Sequence, residues 1–100
     1  MSVSQSSAAS IDADRLHAAA ALLLDMGARE VFVFGSAARG ELRPESDVDI
    51  AVRGLPPGRF FAAASKATDA IGRPVDLMDL DDPTPTVRYV LNSGELIRVL

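Results

Sequence analysis

FGSAARGELRPESDVDIAV, residues 34–52, is the stretch on which the fold turns. It begins at the end of Val31-Phe32-Val33-Phe34, a β-branched and aromatic run that predicts a strand. Gly35-Ser36 then predicts one or two helical turns through Arg39. Leu42 to Ser46, with Pro44 and polar neighbours, predicts a loop. Val48, Ile50 and Val52 alternate with Asp47, Asp49 and Ala51, the period of a second strand. Residues i and i+2 of a strand share a face, so Asp47 and Asp49 stand side by side while the aliphatic residues turn to the core. Two neighbouring carboxylates repel, and each raises the other's pKa. A divalent cation such as Mg²⁺ relieves that cost, since it takes carboxylate and phosphate oxygens as ligands. An isolated Asp-x-Asp is commonly just a solvated strand face, so its surroundings decide its meaning.

Those surroundings point to phosphate. A glycine and a serine between a strand and a helix place backbone N–H groups where an anion is favoured. Glycine admits a phosphate close to the backbone, and the serine hydroxyl can donate to it. Arg39, one turn on, can neutralise phosphate charge. Gly35, Ser36 and Arg39 are therefore candidate nucleotide-binding residues, and Asp47 and Asp49 a candidate metal clamp. Two ions held there would stand about 3.5–4 Å apart and stabilise both the attacking and the leaving oxygen. A third carboxylate is then wanted. Val75 to Leu80 predicts a third strand, in which Val75 and Leu77 face the core and Asp76 faces the same side as Asp47 and Asp49. Asp76 is the candidate for further metal ligation and for accepting a proton from an incoming hydroxyl. Asp79 has the opposite parity, and Asp69 falls on a helix as a solvated charge.

The remaining chain fits around this centre. Met1 to Ser10 is small and polar and is expected to be disordered, leaving residues 11–100 as one domain. Ser10 or Asp12 can cap a first helix carrying Leu16, Ala20, Leu23 and Leu24, with Gly27 as its stop. Leu55-Pro56-Pro57-Gly58 breaks the second strand. Phe60, Phe61, Ala64, Ala67 and Ile71 mark an amphipathic helix ended by Gly72. Asp81-Asp82-Pro83 opens another, with Val87, Val90 and Leu91 on one face, and Leu96 to Leu100 forms a last short strand. Strands alternating with helices predict an α/β sandwich whose small sheet is covered mainly on one face.

Composition narrows the function. The chain has 100 residues, 48% of them hydrophobic, with a net charge of −4 and no cysteine. These values predict a small core, no disulfide and no thiolate metal site, and they oppose a broad basic face for nucleic acid. The longest apolar run, Ala18 to Leu24, is too short to span a membrane and follows Asp12 and Asp14 rather than a basic start, so the cytoplasm is the expected location. His17, Arg43, Arg53, Arg59 and Arg73 read as surface residues. Tyr89 reads as packing, as do the Phe32/Phe34 and Phe60/Phe61 pairs, with Phe34 against the site.

Gly35-Ser36, ten intervening residues and Asp47-Val48-Asp49 resemble the GSx10DxD signature of the DNA polymerase β-like nucleotidyltransferase superfamily. The longer GSAARGELRPESDVDIAV, with RPVDLMDL and NSGELIRVL downstream, resembles its minimal nucleotidyltransferase (MNT) branch over roughly Asp12 to Leu100. The resemblance implies the nucleotidyltransferase fold, a small mixed α/β (α+β) sheet of three to four strands. It implies transfer of a nucleotidyl group from a nucleoside triphosphate, expected to be ATP, to an acceptor hydroxyl with release of pyrophosphate. Asp47, Asp49 and Asp76 would then bind two Mg²⁺ ions, and Gly35 and Ser36 the triphosphate. It also implies an antitoxin whose partner is a helical HEPN-domain toxin, modified on a tyrosine. Two alternatives stand beside this: an antitoxin that works by contact alone with a vestigial site, and a small-molecule nucleotidyltransferase whose acceptor is held by a second chain.

Overall fold

The computed structural model describes residues 13–40 and 46–100. Met1–Ser10, the Ser10 or Asp12 cap, and the Leu42–Glu45 part of the expected loop, with Arg43 and Pro44, lie outside the described residues. Helix α1 spans Ala13–Asp25, strand β1 Glu30–Val33, the short helix α2 Gly35–Arg39 and strand β2 Val48–Arg53. A 3₁₀ turn at Pro57–Arg59 leads into α3, Phe60–Ile71, followed by β3, Val75–Asp79. Helix α4, Pro85–Ser93, and strand β4, Ile97–Arg98, complete the order.

The four strands form one mixed sheet in the order β3-β2-β1-β4. β1 runs antiparallel to both β2 and β4, whereas β2 and β3 are parallel. A parallel pair needs a crossover connection, and α3 supplies it. Its stripe Ala63, Ala67 and Ile71 is buried, at the spacing of one helical face. With Ala19, Ala20 and Leu23 of α1 it covers Val31, Val33, Val48, Ile50, Val52 and Leu77. The alanines let the two helices lie close to the sheet and to each other.

The opposite face is covered only in part. Val87 and Val90 of α4 pack on Phe34, Ala51 and Leu80 in a second, smaller core. α4 begins at Pro85 rather than at Asp81, because Thr84 is its cap and accepts from the Val87 N–H at 3.2 Å. Asp81 instead closes the preceding turn, its carboxylate accepting from the Gly54 N–H at 2.6 Å. Three expected packing residues prove exposed. Tyr89 is 75% exposed and Leu91 41%, because α4 buries only its Val87/Val90 stripe, and Phe61 is 86% exposed beside a half-buried Phe60. Among the described residues no helix is long and apolar enough to cross a membrane.

Candidate active site

The bare part of the second face holds the acidic residues. Asp49 and Asp76 are direct register partners across the parallel β2/β3 ladder. Asp47 lies two residues earlier on the β2 side. The start of β2 is tied down at this point: Val48 N–H donates to Pro74 O at 2.9 Å and the Arg73 guanidinium donates to Ser46 O at 2.7 Å. Arg73, expected as a plain surface charge, thus braces the backbone next to Asp47. Asp49 is half-buried, while Asp47 and Asp76 are exposed. Burial first, then the carboxylates of Asp76 and Asp47, pushes the Asp49 carboxyl above its ordinary range, with the Arg39 guanidinium opposing.

Gly35 reaches the same point from β1. The Phe34 N–H donates to the Asp49 carbonyl at 3.1 Å, so the turn after β1 lies directly over Asp49. Phe34 is extended and Gly35 takes φ +63°, which reverses the chain into α2. A Cβ on Gly35 would collide with the Asp49 carboxylate. Glycine is thus required twice, for its dihedral and for the close approach. Ser36 follows in the first turn of α2, half-buried. Arg39 ends that helix and pairs with Glu95 at 2.9 Å, an exposed contact between residues 56 apart in sequence.

The carboxylates offer only oxygen donors, which suits a hard cation such as Mg²⁺. Among the described residues, no three acidic or histidine side chains converge as a ready-made metal cage.

The family model described as polymerase beta, nucleotidyltransferase, matches residues 25–98, which include the glycine-serine turn and all three aspartates. The chain belongs to the polymerase β nucleotidyltransferase family. A solved minimal nucleotidyltransferase is 32% identical, covers 84% of this chain and 88% of its own length, and superposes with a TM-score of 0.70. Two toxin–antitoxin structures share the fold. One, solved with AMP-PNP, matches at 22% identity over 90% of this chain and 73% of its own, TM-score 0.71. The other holds a tri-AMPylated Shewanella oneidensis HEPN toxin with its MNT antitoxin, and matches at 22% identity over 86% and 69%, TM-score 0.64. No curated protein matches the chain in sequence.

Among the other residues read from sequence, His17 and Asp69 are exposed on the outer faces of α1 and α3. Asp79 takes no place beside the other three; one of its oxygens accepts from the Asp81 N–H at 2.9 Å. Glu95 was not foreseen. No local pattern marks it, since its contact with Arg39 depends on where α4 ends.

Proposed function

We propose that this nucleotidyltransferase moves AMP from ATP, with Mg²⁺, to a tyrosine hydroxyl of a HEPN-domain toxin and so acts as its antitoxin. The observation that carries the reading is the meeting of Gly35, Asp49 and Asp76 across three neighbouring backbone segments. A glycine turn, a pair of carboxylates and a third, exposed carboxylate then share one small face. The structural neighbours solved with AMP-PNP and with an AMPylated HEPN toxin support the same chemistry.

In this reading Asp47, Asp49 and Asp76 would hold Mg²⁺, which when bound supplies charge neutralisation for the triphosphate and for the departing pyrophosphate. The chain's own groups do the rest. The N–H groups at the start of α2 and the Ser36 hydroxyl hold phosphate oxygens. Arg39 turns from Glu95 to the phosphates, exchanging one carboxylate for a more highly charged partner. Asp76 accepts the proton as the acceptor oxygen bonds to the α-phosphorus. The α–β bridging bond breaks, and pyrophosphate leaves with the bonding electrons.

The test is to mix the chain with its helical partner, Mg²⁺ and ATP and to weigh the partner by mass spectrometry. One or more AMP additions that survive separation are expected. Asp76→Asn should abolish them while the complex still forms, because the docking surface is kept and transition-state stabilisation is lost. A partner silenced without any change in mass, by both the original chain and the Asp76 variant, would end the transferase reading.

A further inference from the structure

Beyond Asp76 the outer margin of β3 is hollow. A groove of about 350 Å³ lies between the start of α3 and the start of α4, with Pro57, Phe60, Met78 and Val87 forming its apolar walls. Asp76, Asp79 and Asp82 supply its acidic rim. It continues past Asp79 and Asp82 into a second groove of about 500 Å³ toward Leu55 and Pro83. Among the described residues lining either groove there is no lysine, arginine or histidine.

The backbone of β3 is also available there. Pro74 O accepts from Val48 and Leu80 N–H donates to Val52, each at 2.9 Å, so the even-numbered residues face β2. Val75 and Leu77 consequently direct their N–H and C=O groups outward, the arrangement to which an extended chain adds, while the Asp79 carbonyl accepts from the Asp82 N–H at 3.2 Å. The sheet order sets the two substrates apart. Gly35 approaches Asp49 from the β1 side, while the groove lies on the far side of β3. Attacking and leaving oxygens must lie roughly in line across the phosphorus, and opposite approaches to Asp76 meet that need.

The geometry points to this groove as the acceptor site, and to its occupant as an extended, basic polypeptide segment bearing a tyrosine. The inference rests on the transferase reading above. The apolar walls take the aromatic ring, the acidic rim takes flanking lysine or arginine, and the phenol reaches Asp76. A triphosphate is repelled by the same rim, which keeps the donor on the Gly35 side. An amino sugar is basic too, but its hydroxylated ring buries less apolar surface against Phe60, Met78 and Val87 than an aromatic ring does. In the step itself the phenolic oxygen bonds to the α-phosphorus, pyrophosphate departs, and the phenolic proton passes to Asp76 and then to water.

Two synthetic peptides test this, each with a central tyrosine, one flanked by lysines and the other by glutamates. Methyl NMR of the full chain should show Met78 and Val87 signals moving with the lysine peptide, which should bind about tenfold more tightly than its acidic twin. Asp82→Lys should erase that preference and leave ATP affinity unchanged. With ATP and Mg²⁺ the bound tyrosine should gain AMP. Equal binding of the two peptides, or a preference that survives Asp82→Lys, overturns the groove assignment, as does an amino sugar that displaces the lysine peptide from it. A tyrosine that is labelled while Met78 and Val87 stay unmoved sinks the groove and keeps the transferase. A lysine peptide seated in the groove but never labelled keeps the groove and sinks the transferase.

Discussion

Asp49 sits half-buried on β2 with Asp47 two residues before it and Asp76 opposite it on β3. Burial and these two carboxylates push its carboxyl up in the folded chain. A carboxyl raised on folding binds its proton more tightly in the native state, so its favourable contribution is present at low pH and is lost as pH rises through the folded value. At neutral pH without metal the folded chain therefore bears the full cost of the charged group. Asp49→Asn should raise the melting temperature in the presence of a chelator at pH 7, and the gain should shrink toward pH 4. The same variant should lose transfer activity. A lower melting temperature at pH 7 would mean that the carboxylate is satisfied within the fold. Ser36 offers the contrasting case, since the proposed function gives it a role toward the triphosphate. Ser36→Ala should weaken ATP binding by about 1 kcal/mol, the scale of one hydrogen bond, with little change in melting temperature. Calorimetry and thermal unfolding together separate this from a capping role, which would reverse the two effects.

At the scale of elements, α4 gives the clearest lesson. Its start was expected at Asp81, where acidic residues and a proline resemble a helix opening. The structure spends Asp81 on the Gly54 N–H and on Arg53, 3.8 Å away, and leaves capping to Thr84. Thr84→Ala should cost about 1 kcal/mol of stability. A fall of about 4–8 °C in melting temperature follows for a chain of this size, readable by circular dichroism. An unchanged midpoint would show that Pro85 alone sets the helix start. The first three strands were legible to within a residue at each end because their apolar residues recur at the period of two, whereas the last, expected over Leu96 to Leu100, is only Ile97–Arg98. The burial of α4 was legible in part: Val87 and Val90 are buried as expected, Tyr89 and Leu91 are not. Val87, Val90, Tyr89 and Leu91 are all apolar or aromatic, and only the position of Phe34, Ala51 and Leu80 beneath the helix selects Val87 and Val90.

For the whole molecule, the acidic face and the glycine turn form a site that the folded chain alone possesses. A ligand that binds only the folded state stabilises it by mass action, by about 2.7 kcal/mol at a hundredfold excess over Kd. Under the proposed function Mg²⁺ and ATP together should raise the melting temperature by more than the sum of their separate effects, because phosphate oxygens would complete a coordination to which the carboxylates contribute. Changing Asp47 and Asp49 together to asparagine should remove this synergy. An equal shift with ATP and a chelator would show that the triphosphate binds without the metal.

Much of this protein was written in one dimension. Alternation placed Asp47 and Asp49 on one face, strand parity put Asp76 with them and Asp79 elsewhere, and a glycine-serine pair after an apolar run foretold the turn into α2. All of these depend on periods of two or on neighbours in sequence, which a chain carries before it folds. Tertiary structure decided what depends on distant residues. It set Asp49 opposite Asp76 through a parallel pairing with a helical crossover, and laid the Gly35 backbone on the Asp49 carboxylate. It turned Arg39 toward Glu95, left Phe61 and Tyr89 in solvent, and opened the groove between the starts of α3 and α4. These contacts join segments tens of residues apart, and they exist only because α1 and α3 bury one face of the sheet and leave part of the other bare.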